Sequence, residues 1–181
     1  MVRGRPRKFN QNPVLDFRSI TDNAWYTVDR LVFCKKNNTL TVRFMGFDNK
    51  DDDEELSVED FKTLKELDEF VDRFRPACVQ LQDGECYDMR RGSYVCAVFD
   101  PSEENHKFYN AVIESIEREP HRREGGEACC SCIYVVGWLE GPNARCTEQM
   151  GIKRIYKLQA GSPLFDQALA CFVKMARAQL T

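Results

Sequence analysis

Histidine is nearly absent from this chain: His106 and His121 are the only two among 181 residues. A Cys–His hydrolase needs a free cysteine, a histidine and a group to orient it, so that chemistry has little material here. The 10 glycines form no phosphate-cradling loop and no dinucleotide fingerprint. No apolar run approaches the roughly 20 residues that cross a bilayer, so no membrane partner is expected. The opening stretch, Met1 to Lys8, is basic and lacks an apolar core behind it, unlike a secretion signal. Charge of one sign is scarce too. A net charge of −3 argues against a surface that coats nucleic acid generally.

Cysteine, in contrast, is plentiful. Nine cysteines, an odd number without a secretion signal, read as reduced thiols and metal ligands in cytosol or nucleus. The stretch from Pro120 to Trp138 organises the rest. It holds His121, then Cys129, Cys130 and Cys132, and closes as an apolar β-type run. In an extended chain residues i and i+2 share a face, so Cys130 and Cys132 project together. His121 lies across a Gly-containing loop that can fold back over them. A tetrahedral zinc site needs four ligands, so the fourth must come from a distant segment.

At this length the chain makes one domain or two small ones. Residues 1–13 form a basic arm whose core, Arg3-Gly4-Arg5-Pro6, resembles the AT-hook. Arginines on a narrow extended backbone suit the A·T-rich minor groove; a solvated terminus is the plainer reading of the same residues. Leu15 to Phe47 is β in character. Ala24–Lys35 and Leu40–Met45 pair across an Asn37-Asn38 turn. Trp25 and Tyr26 must then face opposite sides, with Trp25 the core anchor. The acidic run Asp48 to Glu55 reads as a solvated loop, or as a rim for a basic peptide.

Glu54 to Val58 suits a short strand, and Ser57 with Asp60 a capping box. Apolar residues at helical spacing predict a helix from about Glu59 to Arg73. Strands are expected at Ser93–Phe99, Phe108–Arg118, Ile133–Leu139 and Lys153–Leu158, as in a small barrel or sandwich. Ser162-Pro163 starts a final helix that packs on the barrels. Cys34, Cys78, Cys96, Cys146 and Cys171 read as structural thiols, and His106 as an exposed loop residue.

These β units resemble the SAWADEE domain of plant chromatin proteins, best known from the SAWADEE homeodomain homologues. The likeness covers roughly Leu15 to Leu158. Its anchors are Ala-Trp-Tyr-x-Val at 24–28, Val-Arg-Phe-x-Gly-Phe at 42–47, Glu85-Cys86, and Cys130-x-Cys132 before an apolar strand. The resemblance implies a mainly β fold with helices (α+β): tandem Tudor-like small β-barrels, a zinc site in the second, and a C-terminal helix. The implied domain spans 14–165, with units of about 14–76 and 84–160 and the helix at 162–180. It further implies a non-enzymatic nuclear reader of the histone-three tail methylated on lysine nine, with lysine four unmethylated. The implied setting is RNA-directed DNA methylation, with recruitment of a plant RNA polymerase or silencing complex.

Residue by residue, the resemblance implies a methyl-lysine cage of Tyr26, Phe44 and Phe47. It implies Zn²⁺ on Cys86, His121, Cys130 and Cys132. Asp16 falls on one of two acidic lysine-four contacts, and Phe108 on the peptide groove. The second acidic position falls on Thr27, which carries no charge. The loop between His121 and the cysteine pair holds an extra Gly125-Gly126, and Cys129 competes for a ligand place by a one-residue shift. No homeodomain lies within these residues, so Arg3 and Arg5 are the DNA-contacting candidates, for A·T-rich DNA. The alternative is a zinc-stabilised nucleic-acid-binding β-barrel that stacks bases on aromatics. The net charge and the acidic run count against it.

Overall fold

A computed structural model describes residues 14–104 and 106–181. Its strands follow the period of two that sends alternate side chains to one face. In Thr39–Phe44, for example, Leu40, Val42 and Phe44 are buried while the residues between them are not.

Two strand units result. The first contains Leu15–Arg18 (β1), Trp25–Cys34 (β2), Thr39–Phe44 (β3), Glu54–Ser57 (β4) and Phe74–Pro76 (β5). Its spatial order is β5-β1-β2-β3-β4, antiparallel throughout. The second contains Val79–Gln80 (β6), Tyr94–Val98 (β7), Phe108–Glu117 (β8), Ile133–Trp138 (β11), Thr147–Met150 (β12) and Ile155–Lys157 (β13). Its order is β6-β13-β7-β8-β11-β12. A separate hairpin, Arg122–Glu124 (β9) with Glu127–Cys129 (β10), fills the connection from β8 to β11. The first core gathers Phe17, Leu40, Val42 and Leu67. The second gathers Ile113, Tyr134, Val136, Trp138 and Ile155.

The two units join where Trp25 of β2 pairs with Phe108 of β8. Trp25 is buried, yet it belongs to neither main core. It packs with Cys96, Val98, Phe108 and Tyr156 at the junction. The Arg75 guanidinium lies 3.7 Å from its ring centroid, a cation–π contact. The same guanidinium donates to Asn110 Oδ1 (2.7 Å) and to Cys96 Sγ (3.1 Å). Trp25 therefore ties the units together instead of anchoring the first.

The expected helix over 59–73 is shorter. The Ser57–Asp60 capping box forms, but it caps a 3₁₀ turn at Val58–Asp60. Phe61 is then extended, and Thr63 caps a new helix, Leu64–Val71 (α1), by accepting from the Glu66 amide. The break lets Phe61 reach Phe70 and Phe172, with centroids 5.2 and 6.0 Å away. It also turns Leu64 outward and Leu67 and Phe70 inward. The last helix shows the same device. Ser162 caps only the 3₁₀ turn Pro163–Phe165, and Asp166 caps Gln167–Leu180 (α2). Leu169, Phe172, Val173 and Ala176 form its buried stripe, at the i, i+3, i+4, i+7 spacing of an amphipathic helix. All four enter the first core and none the second, so α2 closes one unit, not both.

Neither β12 nor the β9–β10 hairpin is signalled by its own residues, because both are mostly polar. Thr147–Met150 is a flank of β11 with one apolar residue, Met150. In the hairpin, Gly125 and Gly126 have φ of 61° and 87°, the left-handed pair that a two-residue hairpin turn requires. The extra glycines are thus the turn itself.

Candidate functional site

Two constellations stand out. The first is aromatic. Phe44 ends β3, and the Phe47 amide bonds back to the Phe44 carbonyl at 3.3 Å. Gly46, at φ 83°, takes the third place of this turn. A positive φ there defines a type II turn and favours glycine. The turn folds Phe44 and Phe47 side by side, with centroids 6.1 Å apart and planes at 68°. Tyr26, on the paired strand, completes the set: 5.5 Å from Phe44 at 57°, and 5.7 Å from Phe47 at 82°. Phe44 is 6% exposed and also meets the core residue Phe17, while Tyr26 and Phe47 are half-buried.

A cleft opens beside this triad. Tyr26, Thr27, Met45, Gly46, Glu104, His106 and Phe108 line it. Phe44 and Phe47 do not. His106, read from sequence as an exposed loop residue, is half-buried against Phe108, with centroids 6.2 Å apart. Phe108 is buried at the start of β8, because its ring also packs edge-on against Tyr156 at 4.8 Å. Asp16 does not line the cleft. It pairs with Thr27 across the β1–β2 ladder and is 2% exposed. Its Oδ2 accepts from the Cys78 amide at 3.0 Å and lies 3.9 Å from Arg75 Nε. Burial raises its pKa, opposed by the Cys78 amide, Arg75 and the Thr27 hydroxyl. Arg3 and Arg5 lie outside the described residues.

The second constellation is a set of metal-binding side chains. The ligand atoms of Cys86, His121, Cys130 and Cys132 all lie within 4.8 Å of one another. Cys86 comes from the 3₁₀ turn Asp83–Asp88, and the others from the β8–β11 connection. Cys132 Sγ and His121 Nε2 are 3.6 Å apart. Cys129 ends β10 opposite Arg122 and stays out of the set, whereas Cys130 lies within it. Tyr134 Oη (2.8 Å) and Arg118 Nη1 (3.2 Å) donate to Cys86 Sγ, and the Glu119 amide to Cys132 Sγ (3.4 Å). The Cys130 amide donates to Asp83 Oδ1 at 2.9 Å, and the His121 ring stacks on Tyr87 at 4.7 Å.

The groups around Cys132 favour its thiolate. Burial would raise the Cys132 thiol, but the Glu119 amide, His121, Cys130 and Cys86 outweigh it and bring it down to about 7. Burial, opposed by the Cys132 amide and reinforced by the Cys86 and Cys132 thiols, pushes Cys130 up to about 12. Adjacent thiols resist sharing a second negative charge, and a bound cation removes that resistance. The cluster can hold a metal ion.

The SAWADEE domain family matches residues 11–156. The chain belongs to the SAWADEE family. Two solved structures are similar to it. One is a selenium-substituted double mutant of the Arabidopsis thaliana SHH1 SAWADEE domain, with a TM-score of 0.57 and 20% identity over 82% of this chain and 98% of that one. The other is the SHH1 SAWADEE domain in complex with an H3K9me3 peptide, with a TM-score of 0.56, 19% identity and the same coverage. No curated protein matches the chain. The mainly β architecture with few helices is thus that of a SAWADEE domain.

Sequence reasoning missed the residues around the thiol cluster. Arg118 and Tyr134 reach Cys86 from 32 and 48 residues further along the chain, and no spacing rule reports that. The structural thiols divide as well: Cys96 is buried, whereas Cys146 and Cys171 are exposed.

Proposed function

We propose that this chain is a non-catalytic chromatin reader of the histone-three tail methylated on lysine nine, with Tyr26, Phe44 and Phe47 as the cage. The observation that carries the reading is the triad of rings, each nearly perpendicular or steeply tilted to the others, beside an open cleft. A methylated ammonium is large, cationic and weakly hydrated, and aromatic faces hold it within about 6 Å of their centroids. A cation about 4.5 Å from three mutually perpendicular faces would set their centroids about 6.4 Å apart. The rings stand at 5.5–6.1 Å, so seating the ligand requires only a small outward shift. The complex of the SHH1 domain with an H3K9me3 peptide supports the choice of tail. The tail would then run along the cleft past Thr27 and Phe108. A modified-histone peptide array probed with the full chain tests this, and preferential signal from tails methylated at lysine nine is the expected result.

The metal is zinc in this reading. Three thiols and an imidazole are a structural zinc set, and zinc's usual bond lengths give a sulfur–nitrogen edge of about 3.6 Å in a tetrahedron. The Cys132–His121 separation equals that edge. Four protein ligands leave no place for a catalytic water. Zinc here would fasten the turn bearing Cys86 to the β8–β11 connection, and Arg118 and Tyr134 would hold the thiolate of Cys86.

Selectivity at lysine four is expected to be weak. An unmethylated ammonium offers three donors and rewards acidic acceptors. Asp16 and Thr27 are cross-strand partners, but Asp16 already accepts from Cys78, and Thr27 offers only a hydroxyl. Thr27→Asp, placing a carboxylate in the cleft, should sharpen discrimination against trimethylated lysine four by roughly fivefold, about 1 kcal/mol. Fluorescence titrations with both tails read this directly; an unchanged ratio would assign lysine-four reading to other residues.

The reader would work in the nucleus, where the arm adds a DNA contact. Arg3 and Arg5 suit a narrow minor groove. A weak DNA contact linked to a weak tail contact raises nucleosome affinity through effective concentration. Deleting residues 1–9 should weaken nucleosome binding and leave tail-peptide binding unchanged. Equal nucleosome affinity with and without the arm would remove its DNA role. Recruitment of a plant RNA polymerase or silencing complex is the downstream role this reading implies.

A further inference from the structure

Asp22 sits in the turn between β1 and β2, four residues before the cage tyrosine, and its side chain is 30% exposed. Each of its oxygens is engaged. Oδ1 accepts from the Ala24 amide at 3.0 Å, which fixes the turn. Oδ2 accepts from the Tyr26 hydroxyl at 2.7 Å and lies 3.5 Å from Lys107 Nζ. Its backbone carbonyl accepts from Tyr109 Oη at 3.3 Å. One residue thus gathers the cage strand, β8 and the end of the loop that carries His106.

The bond to Tyr26 has an electronic side. A phenol donating to a carboxylate gains electron density, and a cation–π contact depends on the negative face of the ring. Charge-assisted bonds of this kind are also shorter and stronger than neutral ones. Burial, then the Asp22 bond and charge, hold the Tyr26 proton far above its ordinary pKa, so the phenol remains a donor at any physiological pH.

We propose that Asp22 is a positioning residue of the cage: its carboxylate fixes the Tyr26 ring and, from the hydroxyl end, strengthens the negative face that meets the methylammonium. The proposal rests on Tyr26 being a cage wall.

The test uses the full chain, calorimetry and two tail peptides: one trimethylated on lysine nine, the other with a neutral tert-butyl isostere there. Asp22→Asn should weaken the trimethylated peptide roughly three- to tenfold, within the range of one cation–π contact. The neutral peptide should hardly change. Tyr26→Phe keeps the ring but removes the hydroxyl. It should lose part of the cation preference, and adding Asp22→Asn to it should cost less than Asp22→Asn alone. Equal losses on both peptides would reduce Asp22 to a structural role and overturn the proposal. So would an unchanged cation preference in Asp22→Asn, or in Tyr26→Phe should the first variant fold poorly. If the wild-type chain binds both peptides equally, the cage reading fails and the proposal goes with it. A wild-type preference that survives both substitutions overturns the proposal alone.

Discussion

Cys132→Ser should abolish metal binding and lower the melting temperature of the chain by about 10 °C or more. Metal binding at a site absent from the unfolded chain is folding free energy. Removing one partner from a buried charged set costs about 3–5 kcal/mol, because the remaining charges lose their counterpart. In a domain of this size each kcal/mol moves the midpoint by about 2–4 °C. Cys132 is 2% exposed and packs in the second core, where Cys86 also lies, so the loss falls inside that unit. The core around Tyr134 and Trp138 remains, which is why partial and not complete unfolding is expected. Cys129→Ser is the control. Its thiol lies one residue away and outside the ligand set, so metal content and melting should stay near wild type. Elemental analysis and thermal melts with and without a strong chelator check both. One metal per chain retained by Cys132→Ser would contradict the ligand assignment.

Phe47→Ala should weaken binding to the methylated tail about tenfold or more and leave the unmethylated tail nearly unaffected. One good desolvated cation–π face contributes on the order of 1–2 kcal/mol, and 1.4 kcal/mol is one decade. Phe47 is the cleanest ring to remove because it is half-buried and sits in a turn. Phe44 is different. It is 6% exposed and packs against Phe17, so Phe44→Ala should also destabilise the fold by about 3–5 kcal/mol. Melting curves separate the effects: Phe47→Ala should lose affinity with little change in midpoint, and Phe44→Ala should lose both.

The legibility of this molecule in its sequence follows the reach of each signal. A β-type composition rich in Val, Ile and aromatics is local and strong in Trp25–Cys34, Phe108–Glu117 and Ile133–Trp138, so those strands could be read. It is weak in Thr147–Met150 and in the β9–β10 hairpin, whose pairing comes from neighbours and a Gly-Gly turn. Helical spacing correctly signals a helix near Leu64–Val71 but misplaces its start. Thr63 and Phe61, not Ser57, decide where it begins. The Cys130–Cys132 pair and His121 could be read as candidate ligands from spacing alone. Cys86 required the family likeness, since it lies 35 positions before His121. Asp22 had no signal at all, because its role exists only once β1 and β2 turn around it.

The most direct measurement is calorimetric titration of the full chain with two synthetic histone-three tails, identical except for trimethylation at lysine nine. At least about tenfold tighter binding of the trimethylated tail is expected, with Phe47→Ala bringing the two affinities together. Equal binding of both tails by the wild-type chain would contradict the cage reading.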